Sequence, residues 1–154
     1  MSNIRVYADT SVFGGVYDEE FRAESREFFE EVKRNRFILV TSAVVQAEIE
    51  PAPVEVKRFF DEMLEFAEVV EISDKALQLR DAYLKASIVS PKYSDDALHV
   101  ALATLSNCSM IVSWNFKHIV HFQKIPLYNA VNTLNGYSQV NIFSPLEVIE
   151  YEDE

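Results

Sequence analysis

Three acidic residues stand where predicted buried elements end or begin, and together they have the chemistry of a divalent-cation site. Asp9 follows the apolar run 4–8, Glu48 lies in a helical segment after a second apolar run, and Asp96 opens a helix that is apolar nearly all round. In a parallel α/β sheet, residues after strand ends and in first helical turns gather at one edge. Neighbouring carboxylates repel one another unless a cation neutralises them. Oxygen ligands without a cysteine partner favour Mg²⁺ or Mn²⁺ over zinc.

Nearby polar residues are further candidates for the site, but several of them also have a purely structural interpretation. Ser113 and Asn115 follow another predicted strand, and Asp95 precedes Asp96 in the same helical turn. An aspartate after a strand is commonly a helix N-cap, and most charged helix residues are solvated. Asp95 and His99, four residues apart, have the spacing of paired metal ligands, but a helix-cap acid and a hydrogen-bonded histidine are the favoured interpretation. The prediction of a cation site therefore rests on the recurrence of polar groups after strands and in the helices that follow them.

Four short apolar segments and one alternating segment predict five strands, with helical segments between them. The apolar segments are residues 4–8, 37–42, 110–113 and 140–143, and residues 68–72 alternate like a short edge strand. Ser42 and Ser73 are predicted helix caps, as is the run 94–96, and Pro51 ends a helix. Strands that alternate with helices imply a parallel sheet with helices on its faces. The chain shows neither a repeat nor a linker, so we predict one domain over residues 1–154.

Composition and charge limit the classes of function. The chain has 154 residues, 49% of them hydrophobic, and a formal net charge of −11. This charge is opposite to that of a surface that coats nucleic acid, so any such contact must be local or mediated by metal. Cys108 is the single cysteine, which excludes an internal disulfide. The sequence shows neither a secretory signal nor a membrane-length apolar stretch, which favours a cytoplasmic protein without membrane contact.

Four motifs resemble those of the PIN-domain family, whose members are mostly metal-dependent ribonucleases and include the VapC-type toxins of toxin–antitoxin pairs. The motifs are VYADTS at 6–11, TSAVVQAE at 41–48, SDDALHVALA at 94–103 and IVSWNF at 111–116. The resemblance implies a three-layer α/β/α sandwich around a central, mainly parallel sheet, in which Asp9, Glu48 and Asp96 bind Mg²⁺ or Mn²⁺ and carry catalysis. It further implies an endoribonuclease that acts on RNA phosphodiester bonds, a cognate antitoxin and a homodimer.

The chain departs from the family pattern at Asn115, where many active members have a fourth aspartate. A carboxamide removes a charge and weakens divalent-metal affinity, especially for a second ion. Asn115 would then orient a water or contact phosphate through its amide hydrogens. The alternative function is a catalytically degenerate PIN-like module that binds RNA or protein, and a phosphatase or phosphoacceptor domain is a third hypothesis. Lys92, Lys117 and His118 are candidate phosphate contacts.

Overall fold

The computed structural model describes residues 4–151 and has a five-stranded, wholly parallel sheet at its centre. The strands are β1 (Arg5–Ala8), β2 (Ile38–Ser42), β3 (Ala67–Val70), β4 (Met110–Val112) and β5 (Asn141–Phe143). Their spatial order is β3-β2-β1-β4-β5. The predicted α/β class with a parallel sheet is therefore confirmed, and each strand overlaps a predicted strand segment. Residues 1–3 and 152–154, at the ends of the predicted domain, lie outside the described residues.

Eight α-helices surround the sheet in the described part of the chain. They are α1 (Thr10–Gly15), α2 (Arg22–Lys33), α3 (Ala43–Ile49), α4 (Val54–Met63), α5 (Asp74–Lys85), α6 (Ser94–Leu105), α7 (Ile125–Leu134) and α8 (Pro145–Val148). Helices α1, α2, α4 and α8 pack in one group, and α5 packs on α6 and α7 in another. Two helical groups with a sheet between them match the expected α/β/α sandwich. Among residues 4–151, no helix has both the length and the hydropathy needed to cross a membrane.

Local signals explain most helix starts, and two details differ from the sequence prediction. The Ser42 and Ser73 hydroxyls accept hydrogen bonds from backbone N–H groups at the starts of α3 and α5, as predicted. Helix α6 instead includes residues 94–96 and has Tyr93 at its N-cap position, so the prediction that the run 94–96 caps it is wrong. Helix α1 was not predicted because it ends in two glycines, which disfavour an isolated helix. Its burial against the core supplies the stability that propensity lacks.

The sheet register brings the ends of β1 and β4 level with each other. Ala8 pairs with Val112, and the Asp9 N–H donates to the Val112 carbonyl at 3.3 Å. The next residue of each chain segment, Asp9 and Ser113, therefore lies at the same point of the carboxyl edge. Because β1 lies between β2 and β4, residues that follow all three strands meet around its end.

Gly15 allows α1 to approach α2 and the segment after β4. A Cβ atom on Gly15 would lie 2.4 Å from Ser25 Oγ and 2.9 Å from Trp114 Nε1. We expect Gly15→Ala to lower the free energy of unfolding by about 1–3 kcal/mol through overpacking. Urea denaturation measures this loss.

Gly14 provides the matched control in the same helix. Outside its helix and chain neighbours, no described atom lies within 4 Å of a Cβ built on Gly14. Gly14→Ala is therefore expected to raise stability by about 0.5–1 kcal/mol, since alanine is the better helix former. Equal effects of the two substitutions would show that the close approach at Gly15 does not constrain the fold.

Candidate active site

Asp9 is a buried carboxylate held by two hydroxyl groups. Its side chain is 4% exposed at the end of β1. Ser11 Oγ donates to Oδ1 and Ser113 Oγ donates to Oδ2, both at 2.6 Å. Although Asp9 occupies the N-cap position of α1, its oxygens accept from these hydroxyls rather than from the backbone of the first helical turn. The helix-cap interpretation therefore does not account for this residue.

The environment of Asp9 disfavours its charge. Burial raises the pKa of Asp9 above its ordinary value, while the charge of His99 and the two hydroxyl donors oppose the shift. The charge of Glu48 raises the pKa further, so the two carboxylates interact electrostatically. A bound cation would relieve both the burial cost and this repulsion.

Glu48 is held by a chain of hydrogen bonds that connects five elements. Glu48 Oε1 lies 2.6 Å from His99 Nε2 and accepts from Thr10 Oγ1 at 2.8 Å. His99 Nδ1 lies 2.8 Å from the Tyr7 hydroxyl, which is 2.7 Å from Ser42 Oγ. We call this series of hydrogen bonds the Glu48–His99 chain, and it consists of Ser42, Tyr7, His99, Glu48 and Thr10. Its members lie, in that order, at the end of β2, in β1, in α6, in α3 and at the start of α1.

Charge is concentrated at the Glu48 end of this chain. Burial opposes ionisation of both partners, but their mutual interaction outweighs it, so the pKa of Glu48 is lowered and the pKa of His99 is raised. His99 is 2% exposed, and its ring is fixed from both nitrogens. Both directions favour the charged forms of Glu48 and His99, and the hydrogen bond between them fixes the Glu48 carboxylate.

Asp96 lies in the first turn of α6 and is half-buried. Burial raises its pKa, while a hydrogen bond from the Asn115 side chain and the charges of His118 and His99 oppose the shift. The oxygen of the Asn115 amide accepts the His118 N–H at 2.9 Å, so its NH₂ group is the part that faces Asp96. The Asn115 N–H donates to Ser113 Oγ at 2.9 Å. Asn115 therefore donates to a candidate metal-binding acid.

The remaining sequence candidates lie on two sides of Asp96. Asp95 is exposed, and His99 pairs with Glu48 rather than with Asp95. His118 stacks on the Tyr93 ring at 4.0 Å, with the ammonium groups of Lys92 and Lys117 5.6 and 5.9 Å from the centre of that ring. Burial lowers the pKa of His118, which favours its neutral form, so the two lysines provide the local positive group near Asp96 in an otherwise acidic protein.

The profile of the PIN domain matches residues 6–118, more than half of the chain. The chain belongs to the PIN-domain family. PIN domains are generally nucleases. A comparison with curated protein sequences finds no match.

Two solved structures share the PIN fold of this chain at low sequence identity. The first is VapBC2 from Rickettsia felis bound to a DNA fragment from their promoter, with 15% identity, a TM-score of 0.59, and coverage of 90% of this chain and 97% of that one. The second is FitAcB from Neisseria gonorrhoeae, with 12% identity, a TM-score of 0.58, and coverage of 93% and 99%. These similarities concern the fold.

The side chains of this PIN domain fit a hard divalent cation in chemistry but do not form a closed cage. Within residues 4–151, no group of three or more His, Cys, Asp and Glu side chains is close enough to enclose a metal ion. Asp9, Glu48 and Asp96 nevertheless interact electrostatically, since the charge of Glu48 raises the pKa of both aspartates. The hydrogen bonds of Glu48 to His99 and Thr10 hold it in this open arrangement.

Several residues of the PIN site escaped the sequence interpretation. Tyr7, Thr10 and Ser11 belong to the first motif, but they were not assigned roles. His99 was interpreted only as a hydrogen-bonded histidine, and its partner is Glu48, 51 positions away in sequence. A histidine within an apolar helix signals a buried polar group that needs partners. The sequence does not indicate which residues provide them.

Removal of the Tyr7 hydroxyl tests how much the Glu48–His99 chain contributes to the stability of the protein. Tyr7→Phe removes a buried group that bonds both Ser42 and His99. We expect a loss of about 1–3 kcal/mol, because buried partners are left unsatisfied. Urea denaturation gives this value. Tyr17→Phe, at a tyrosine that is 43% exposed, is the control and should change stability by less than about 0.5 kcal/mol. Equal effects would contradict a structural role of the chain.

Proposed function

We propose that this PIN domain is a metal-dependent endoribonuclease and the toxin of a toxin–antitoxin pair. The observation that carries the proposal is the buried Asp9 carboxylate, which lies at the carboxyl edge of the sheet and interacts electrostatically with Glu48. Burying a carboxylate against neutral hydroxyls is costly, and a site that binds cations gives a reason to retain it. Family membership supports a nuclease. The dependence on a metal and the choice of RNA as substrate are our proposals.

Each residue has a distinct role in the proposed reaction. Asp9 and Asp96 would hold Mg²⁺ or Mn²⁺, with Ser11 and Ser113 orienting Asp9. A bound divalent cation would lower the pKa of water and stabilise charge on the phosphate. Glu48 would be a further ligand or would position the attacking water as a base, and its hydrogen bond to His99 fixes the carboxylate for that task.

Substrate contacts must be local, because the protein carries a net charge of −11. Lys92 and Lys117 supply positive charge near Asp96, and the His118 imidazole adds a hydrogen-bonding group, so the three residues suit a phosphate of the RNA backbone. Asn115 joins this group to Asp9, because it contacts His118, Asp96 and the Ser113 hydroxyl that holds Asp9. We infer that the scissile phosphate lies between this group and Asp9.

A groove beside the proposed site suits an antitoxin segment. It has a volume of about 310 Å³, and its lining includes Thr10, Gly14, Tyr17 and Asp18. The other lining residues are Ile49, Ala52, Pro53, Glu55 and Val56. The acidic side chains Asp18 and Glu55 match a basic peptide by charge. An antitoxin bound here would contact Thr10, which holds Glu48. We further propose that the protein forms a homodimer and is located in the cytoplasm.

Calorimetric titration with Mn²⁺ tests the metal site directly. The wild-type protein is expected to bind Mn²⁺, and Asp9→Asn is expected to abolish binding. Asn115→Asp should tighten binding by about tenfold, because it adds a charge to the ligand set. Asp95→Asn, at the exposed neighbour of Asp96, is the control and should bind as the wild type does. Absence of binding in all four folded proteins would refute the metal-dependent mechanism.

The geometry of Asn115 favours a second candidate function. Its amide already donates to Asp96, an arrangement that gives this carboxylate a hydrogen-bond partner without a metal. A PIN-like module that binds RNA or protein without turnover would retain this arrangement. It predicts that RNA or a partner protein binds while no divalent metal supports cleavage. Cleavage of RNA by the wild-type protein with Mn²⁺ would exclude it.

A further inference from the structure

An open cleft lined by aromatic rings lies next to the proposed active site. We call it the aromatic cleft, and it is lined by Glu20, Phe21, Glu24, Trp114, Phe116 and Leu146. Its volume is about 280 Å³. It is formed by the approach to α2, the segment after β4 and the first turn of α8. The proposed catalytic mechanism uses none of these side chains.

Two rings of the cleft form a rigid base, and a third is exposed. Trp114 stacks on Phe21 with ring centres 4.2 Å apart and an angle of 17° between the planes. The Trp114 indole N–H donates to Ser25 Oγ at 2.8 Å, which fixes the ring. Phe116 lies 6.1 Å from Trp114 and 6.4 Å from Phe21, and it is 47% exposed. The cleft therefore presents pre-ordered aromatic surface to solvent.

The aromatic cleft is connected to the carboxylates by two hydrogen bonds. The Trp114 N–H donates to Ser11 Oγ at 2.8 Å, and Ser11 Oγ donates to Asp9 at 2.6 Å. Asn115, whose amide donates to Asp96, lies between Trp114 and Phe116 in sequence. A ligand in the cleft would therefore sit beside the place where a phosphodiester must lie for cleavage.

The chemistry of the cleft selects one kind of ligand. Aromatic faces stack with any nucleobase, and single-stranded RNA is recognised through stacking and through the Watson–Crick edges of its bases. Glu20 and Glu24 repel phosphate but accept hydrogen bonds. Guanine presents adjacent N1–H and N2–H₂ donors that match a carboxylate, whereas uracil presents one donor. The cleft thus combines a stacking surface with acceptors for a donor-rich base.

We propose that the aromatic cleft binds one nucleobase of the RNA substrate, with guanine preferred, an inference that rests on the nuclease function proposed above. The positive group around Tyr93 lies on the other side of Asn115 and suits the backbone phosphate. One face of the site thus reads a base, and the other holds the backbone.

Binding of short labelled RNAs without divalent metal tests the cleft separately from catalysis. The probes are the pentanucleotides UUGUU, UUAUU, UUCUU and UUUUU, mixed with the wild-type protein in EDTA and followed by fluorescence anisotropy. Trp114, the single tryptophan of the chain, reports occupancy of the cleft through its own fluorescence. We expect UUGUU to bind most tightly and to quench Trp114. Absence of binding by all four probes would overturn the proposal.

Substitutions in the cleft provide the decisive comparison. Phe116→Ala should weaken UUGUU binding by about 5- to 100-fold, the loss that one stacked base corresponds to. Phe116→Tyr should retain binding. Phe122→Ala removes a phenylalanine that is 91% exposed and lies outside the cleft, so it should bind as the wild type does. Glu20→Gln combined with Glu24→Gln should reduce the preference for UUGUU over UUUUU.

The outcomes separate this proposal from the nuclease proposal. Weaker RNA binding by Phe116→Ala, in a wild-type protein that cleaves no RNA with Mn²⁺, would support the base site and refute the nuclease. Cleavage by the wild type with unchanged UUGUU binding by Phe116→Ala would support the nuclease and overturn the base site. Unchanged RNA binding together with loss of antitoxin binding by Phe116→Ala would overturn the base site in favour of a protein contact.

Discussion

Asp9→Asn is expected to abolish RNA cleavage and, at the same time, to stabilise the folded protein. Loss of a residue that hydrogen-bonds a metal ligand lowers activity by up to about 100-fold, so loss of the charge of a ligand itself should lower it by at least that much. The cleavage rate of a labelled RNA with Mn²⁺ measures this effect. Asp95→Asn, at an exposed acid, should leave the rate unchanged. Residual cleavage by Asp9→Asn within tenfold of the wild-type rate would contradict the proposed role.

The gain in stability follows from the sign of the Asp9 pKa shift. Burial raises the pKa of Asp9 in the folded protein above the ordinary value of 3.8. A raised carboxyl pKa means that the folded state binds its proton more tightly than the unfolded state does. The wild-type protein therefore loses stability as the pH rises from about 3.8 through the raised pKa. The loss is complete above that pKa.

An uncharged residue at this position avoids the loss. The stability of Asp9→Asn relative to wild type should rise with pH over this window and then stay constant. Urea denaturation of both proteins in metal-free buffer, at a series of pH values from acid to neutral, measures the difference. Asp95→Asn should show no such pH-dependent gain. A stability difference between Asp9→Asn and wild type that stays constant from acid to neutral pH would refute the raised pKa of Asp9.

Arg36→Ala is expected to produce the largest loss of stability among the substitutions considered. Arg36 forms an ion pair with Glu31, a helix α2 residue that is 1% exposed, and donates to the Val148 carbonyl at 2.6 Å. Glu31 also accepts the Glu150 N–H at 3.0 Å. Removing Arg36 leaves a buried carboxylate without its cation, which costs about 3–5 kcal/mol in general. Since the Arg36 side chain is 34% exposed, we expect about 3 kcal/mol, from the lower end of that range.

A neighbouring arginine supplies the control for this prediction. Arg34 pairs with Glu27 at 3.3 Å, and its side chain is 59% exposed. Exposed pairs contribute about 0–1 kcal/mol, so Arg34→Ala should have a small effect. Urea denaturation measures both losses, and hydrogen exchange at α8 should accelerate in Arg36→Ala alone. Equal losses for the two variants would show that the buried pair contributes nothing to stability.

The fold was largely predictable from local patterns. Short branched apolar runs such as 38–42 predict buried strands, and Ser42 and Ser73 predict helix starts, because these signals depend on residues close in sequence. Helix α1 was missed since its two glycines oppose helix formation locally, and only burial of Val12 and Phe13 in the core supports it. The N-cap of α6 is Tyr93, just before the predicted run 94–96, and several polar residues in that run are compatible with a cap, so the local sequence does not decide the position.

The sequence by itself determined that Asp9 follows a strand, that Glu48 lies in the helix after a strand and that Asp96 opens a helix, which places all three toward one edge of a parallel sheet. The tertiary structure decided their partners. The strand order brings Ser113 to Asp9, α6 brings His99 to Glu48, and the segment after β4 turns the Asn115 NH₂ group toward Asp96. The physical reason is range: strand and helix patterns arise from neighbours in sequence, whereas each of these contacts joins residues from elements far apart in the chain.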